Sequence, residues 1–172
     1  GHIGAEVGRL FKVGFDMKVL GANRSGRAVE HFDRVVPVGQ LVELLPLADI
    51  LVLTCAYTKE THGLIDARKL ALLKPSAFFV NVSRGQIVVQ KDLTQALIEH
   101  RIAGAALDVF DPEPLPPGDP LWDLGNVIIT PHVAGPFKNY SEGVARVFLE
   151  NLPAFLRGEP RQMPDYANNK RY

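Results

Sequence analysis

The sequence has a single cysteine, Cys55, in 172 residues. No internal disulfide framework can form, and so thiol-poor a chain fits a reducing, cytoplasmic compartment. It has no excess of charge: Lys plus Arg and Asp plus Glu number 19 each, so nothing points to nucleic acid or an anionic membrane as a partner. No apolar run approaches the roughly 20 residues that span a bilayer. No signal peptide opens the chain, and there is no internal repeat or low-complexity tract. No Cys/His cluster has metal-ligand spacing, which argues against a metal centre. Ser83 lies outside any nucleophile-elbow pattern. What is present is an ordinary globular composition, 47% hydrophobic and 22% charged, at a length suited to one domain.

Apolar periodicity divides the chain into alternating elements. Ile3, Val7, Leu10, Phe11 and Phe15 predict a helix over 3–15. Short buried strands are expected over 18–22 and 34–38, with a helical stretch over 39–48 between the second of these and the next strand. Ile50 to Cys55 is a continuous apolar run, as in parallel strands covered on both faces, and Ala77 to Val82 is expected to be the next buried strand. Asp66 is placed to cap a helix through Leu73, and Asp92 to start one reaching Arg101. Strands over 103–110 and 126–130 flank a proline-rich loop, Asp111 to Pro120. A closing helix is expected over 139–157, followed by an irregular polar tail over 158–172. Repeated β-α-β alternation predicts a Rossmann-like α/β fold with a doubly wound parallel sheet, in which ligands bind at the carboxyl ends of the strands. The dinucleotide-binding domain is expected to occupy 1–157.

Gly1-His2-Ile3-Gly4 opens a helix directly and matches the last four positions of G-x-G-x-x-G. Glycines there let a pyrophosphate approach the backbone at a helix N-terminus. The first glycine and the strand before it are absent from the sequence. A gap is therefore expected between the strands containing Leu20 and Val52. An acidic residue normally ends the second strand, where it accepts from the ribose hydroxyls of NAD. Here Asn23 stands at that place, followed by Arg24, Ser25 and Arg27. An uncharged residue followed by arginine suits the 2′-phosphate of NADP, with NAD as the other possibility. The alternative is a solvated basic turn.

Three further segments fall at strand ends: Val80-Asn81-Val82-Ser83-Arg84-Gly85, Leu107-Asp108-Val109-Phe110-Asp111-Pro112-Glu113-Pro114-Leu115, and Thr130-Pro131-His132-Val133-Ala134-Gly135. Each alone is weak, because a lone His, Arg or Glu in such a loop is usually solvated. In this order and spacing they resemble the D-2-hydroxyacid dehydrogenase family, which includes glyoxylate/hydroxypyruvate reductases, phosphoglycerate dehydrogenases and D-lactate dehydrogenases. The resemblance covers residues 1 to about 157.

The resemblance implies a catalytic set of Arg84, Glu113 and His132. Arg84 would hold the carboxylate and keto oxygen of a small 2-oxoacid through a planar charged fork. His132 would protonate the oxygen as hydride reaches carbon. Glu113 would orient the imidazole and favour its charged form. The implied cofactor-binding residues are Gly1, His2, Ile3, Gly4, Asn23, Arg24, Ser25, Cys55, Ala56, Thr61, Val82, Ser83, Arg84, Asp108, His132 and Gly135. Asp108 would face the nicotinamide end, and Cys55, Ala56 and Thr61 the adenine side. The family's separate substrate domain is expected to lie outside this sequence, and the family pattern implies a homodimer through this domain. Two other readings stay open: a non-catalytic, dinucleotide-sensing binding protein resembling a corepressor, and an inactive fragment of the dehydrogenase. His31, His62 and His100 are expected at the surface.

Overall fold

A computed structural model describes residues 1–135 and 138–163. Two compact units divide the chain, Gly1–Ala134 and Gly135–Tyr172. In the first, helix α1 (His2–Phe15) leads to strands β1 (Leu20–Asn23) and β2 (Arg34–Pro37). Then come β3 (Ile50–Leu53), α2 (Ala67–Leu70), β4 (Phe78–Asn81), α3 (Gln90–Ile98), β5 (Gly104–Leu107) and β6 (Val127–Ile129). Every strand pair is parallel, as the alternating pattern predicts.

β1 and β2 pair only with each other, while β3-β4-β5-β6 form a four-stranded sheet in that order. Among the described residues no ladder joins β1 to β3, so the expected gap between the strands of Leu20 and Val52 is present. In the four-stranded sheet Val52, Val80, Ala106 and Ile128 share one register row. The carboxyl ends therefore lie level, with Leu53, Asn81, Leu107 and Ile129 in the next row. Phe79, Ile65, Ile87, Leu97 and Ile102 are fully buried in a single core cluster around this sheet. Burial of each such side chain contributes roughly 1.5–3 kcal/mol. α1 is tied to the β1-β2 pair by Asp33, which accepts from the Val19 N–H at 2.7 Å and pairs with Lys12 at 2.8 Å.

Several boundaries differ from the sequence expectation. The stretch over 39–48 is not an α-helix but two 3-10 turns, Val38–Glu43 and Leu45–Leu47. Pro46 has no N–H to give an α-helical ladder, and the tighter turns still bury Leu41, Leu44 and Leu45. α3 starts at Gln90 rather than Asp92, because the Asp92 carboxylate accepts from the Ala67 N–H at 2.9 Å and so joins α3 to α2. Asp66 does cap α2, accepting from the Lys69 N–H at 3.0 Å, but that helix ends at Leu70 instead of Leu73. The strands stop short of Cys55 and Phe110, ending at Leu53 and Leu107.

In the second unit, helix α4 (Tyr140–Leu156) lies where a closing helix is expected, with Pro153 inside it. A 3-10 turn at Pro160–Gln162 lies in the segment expected to be irregular; the rest of that tail, 164–172, lies outside the described residues.

Candidate active site at the carboxyl edge of the sheet

Asn81 ends β4 and is 1% exposed. Its Oδ1 accepts from the Ser83 N–H at 3.0 Å and the Ser83 hydroxyl at 2.8 Å, and its Nδ2 donates to the Arg84 carbonyl at 3.1 Å. The side chain thus folds the strand end into a tight turn that leaves Arg84 exposed at the rim. The Ser83 hydroxyl is taken up by this turn, while Val82 is partly exposed beside it. The Arg84 guanidinium donates to the Ser83 carbonyl at 2.6 Å.

Gly85 follows, and a Cβ there would lie 1.8 Å from the Phe110 carbonyl oxygen. Only glycine permits this backbone approach. It presses the Arg84 turn directly onto the segment that carries Glu113. The Phe110 N–H donates to Glu113 Oε1 at 2.8 Å, and Glu113 Oε2 lies 2.9 Å from His132 Nδ1. Both partners stay accessible, with side-chain exposures of 34% for Glu113 and 48% for His132. Burial raises the Glu113 pKa, but the His132 hydrogen bond, the Phe110 N–H and the charges of His132 and Arg84 outweigh it and hold the carboxyl below its ordinary value. The Glu113 carboxylate is therefore held in its charged form beside the His132 ring.

His132 has a φ of 56°, in the left-handed region. For a non-glycine residue that conformation costs on the order of 1–3 kcal/mol. Asp108 supplies the compensation. Its carbonyl accepts from the His132 N–H at 2.9 Å. Its carboxylate accepts from the Thr130 hydroxyl at 2.5 Å and from the Val133 and Ala134 N–H groups at 2.9 and 3.0 Å. Asp108 is 4% exposed. Burial pushes its pKa up, but these donors, with His132 nearby, hold it below the usual carboxylate value. Asp108 thus staples the histidine loop.

The other candidate residues lie in two groups. Gly1 is the N-cap of α1, with no side-chain cap, and His2 and Ile3 are exposed in its first turn. A Cβ on Gly4 would come 2.7 Å from the Thr54 hydroxyl, so the helix start packs tightly against the end of β3. A helix N-terminus of this kind fits a pyrophosphate. At the end of β1, Asn23 Oδ1 accepts from the Ser25 N–H at 3.1 Å, and its Nδ2 donates to the Arg27 carbonyl at 2.7 Å. This is the device seen at Asn81, used a second time. Arg24 and Arg27 are exposed and form no ion pair among the described residues. Cys55 and Ala56 are exposed just past β3, and Thr61 donates to the Ala56 carbonyl at 2.9 Å. Glu60, beside them, sits below its ordinary pKa, mainly through a hydrogen bond with Thr58 and in smaller part through the charge of Arg24. The Arg24 turn and the 55–61 segment are therefore near neighbours. Gly135 belongs to the second unit. His62 and His100 are exposed; His31 is partly covered and faces Glu30.

A parallel sheet with polar turns gathered at its carboxyl edge and a bare helix N-terminus beside them defines a Rossmann-like dinucleotide-binding domain. The family described as D-isomer specific 2-hydroxyacid dehydrogenase, NAD binding domain, matches residues 1–134, and the chain belongs to it. A glyoxylate reductase of Korarchaeum cryptofilum is 43% identical over 161 residues, covering 92% of this chain and 48% of its own length. A D-isomer specific 2-hydroxyacid dehydrogenase family protein of Aeromonas salmonicida superposes with a TM-score of 0.86 at 39% identity, covering 97% of this chain and 53% of its own. An NADPH-dependent glyoxylate/hydroxypyruvate reductase of Sinorhizobium meliloti, solved with NADP and sulfate, gives a TM-score of 0.85 at 29% identity, covering 99% and 53%. The chain spans about half the length of the curated relatives it matches.

Proposed function

We propose that this domain is the cofactor-binding and proton-transferring half of an NADPH-dependent reductase of small 2-oxoacids such as glyoxylate or hydroxypyruvate. The observation that carries the proposal is the 2.9 Å Glu113–His132 pair, with the charge of Arg84 reaching Glu113 at the same strand edge. When bound, the dihydronicotinamide supplies the hydride. Arg84, on its rigid Asn81 turn, holds the substrate carboxylate and polarises the keto oxygen. His132, oriented through Nδ1 by Glu113, delivers a proton from its other ring nitrogen, Nε2, to that oxygen. In the reverse direction the neutral imidazole takes the proton back.

The cofactor preference rests on the β1 turn. Asn23 closes that turn without a carboxylate to repel a 2′-phosphate, and Arg24 and Arg27 stand exposed beside it. Gly1 to Gly4 would cradle the pyrophosphate, and Cys55, Ala56 and Thr61 would line the adenine side. A homodimer working in the cytoplasm completes the proposal; among the described residues no helix is long and apolar enough to cross a membrane. A non-catalytic dinucleotide sensor would have no need of the Arg84, Glu113 and His132 set. The test is NADPH consumption by the full-length protein with glyoxylate and with hydroxypyruvate. Turnover that drops sharply in Arg84→Ala is expected. Tight NADPH binding with no turnover on any small 2-oxoacid would refute the catalytic reading and favour the sensor.

A further inference from the structure

Glu113 sits on a loop that has little apolar anchorage. From Asp111 to Asp119 only Leu115 is buried. The loop is held by polar contacts instead, and one side chain reaches both of its ends. Gln90, the first residue of α3, accepts from the Asp111 N–H through Oε1 at 2.8 Å and donates through Nε2 to Asp119 Oδ2 at 3.1 Å. Asp119 Oδ1 separately accepts from the Leu121 N–H at 3.0 Å, capping the next 3-10 turn. Gln86 adds a donor to Asp111 Oδ1 at 3.2 Å. Asp111 immediately follows Phe110, whose N–H holds Glu113 Oε1.

We propose that Gln90 is a positioning residue for the proton-transfer pair: its amide clamps both ends of the 111–119 loop and so sets the contact between Glu113 and His132. This rests on the reading of that pair given above. The chemistry requires an amide. A glutamate at this position could accept from Asp111 but could not donate to Asp119, and it would place two carboxylates against each other. Glutamine presents one acceptor and one donor, in the order the two loop ends need. The charged groups around the pair are Arg84 on the neighbouring turn, Asp108 beneath the histidine loop, and Asp111 and Asp119 on the loop itself.

The test is a donor–acceptor swap in the full-length protein. Gln90→Glu removes the donor, and Asp119→Asn turns the facing oxygen into a donor while keeping Oδ1 for Leu121. Each single variant leaves like groups facing each other. The double variant restores a clamp of opposite polarity. The readouts are the His132 imidazole titration followed by NMR and the alkaline limb of 2-oxoacid reduction. Each single variant should move both to lower pH by about 0.5 unit, roughly a threefold loss of rate above the limb. The double variant should return both to within about 0.2 unit of wild type. Singles that leave the His132 titration unmoved, or a double displaced as far as the singles, would overturn the proposal. Absence of 2-oxoacid reduction in the wild type would instead sink the functional reading, and the NMR cycle would still decide the role of Gln90.

Discussion

Replacing Asp108 by asparagine isolates the staple that holds the histidine loop. Asparagine keeps one oxygen for the Thr130 hydroxyl and the Val133 N–H, but it turns Oδ2 into an amide facing the Ala134 N–H across 3.0 Å. One charge-assisted bond, worth about 1.5–3 kcal/mol, is lost, and two donors face each other at a site that is 4% exposed. The two remaining bonds weaken to neutral strength. Relief from burying a charge offsets part of this, since burial is the largest single influence on the Asp108 pKa. The net cost is about 2–4 kcal/mol, a large share of the roughly 5–15 kcal/mol that holds a domain folded. The sign of the pH dependence follows. A carboxylate with a lowered folded pKa stabilises fully above its unfolded value and loses that contribution as pH falls through the folded value. The gap between wild type and Asp108→Asn should therefore be flat from about pH 7 to 5 and narrow below about pH 4. Urea unfolding followed by the fluorescence of Trp122, the one tryptophan, measures it. A gap under about 1 kcal/mol at neutral pH, or one that does not narrow in acid, would refute the argument.

Gly85→Ala should be among the costliest single-methyl additions in the chain, because the new atom meets the backbone at Phe110 rather than a flexible side chain. A loss of at least about 3 kcal/mol in denaturant unfolding is expected, at the upper end of overpacking costs, and a change within 0.5 kcal/mol would show that the two segments are not pressed together as described. Arg24→Ala should weaken NADPH binding by about 1.5–3 kcal/mol, roughly 10- to 150-fold, and leave NADH little changed. Calorimetric titration of both cofactors checks it, and equal losses on the two would remove the 2′-phosphate assignment.

The strand positions and their parallel direction were legible because parallel strands are written as largely apolar runs. Ile50 to Leu53 and Phe78 to Val80 need no partner to be recognised. Arg84, Glu113 and His132 were named through the resemblance carried by three motifs in order, and the structure brings Glu113 and His132 to 2.9 Å. What the sequence concealed is held by contacts distant along the chain. Gln90 bridges to Asp111 and Asp119, and Asp92 to Ala67, over separations of 21 to 29 residues. Asn81 was the partial exception. An asparagine two residues before a serine at the end of an apolar run signals a side-chain turn, and Asn23 with Ser25 repeats it. The segment over 39–48 misled because Leu41, Leu44 and Leu45 satisfy helical spacing, while Pro46 favours tighter turns.

The central claim is that His132, paired with Glu113, protonates the substrate oxygen. A pH–rate profile for 2-oxoacid reduction by the full-length protein, alongside His132→Ala and Glu113→Gln, tests it most directly. The rate should fade on the alkaline side as the imidazole loses its proton. Glu113→Gln should move that fade to lower pH, and His132→Ala should lower turnover by roughly 10²- to 10⁴-fold. Near-normal turnover without His132, or a fade that stays in place without the Glu113 carboxylate, would contradict the account.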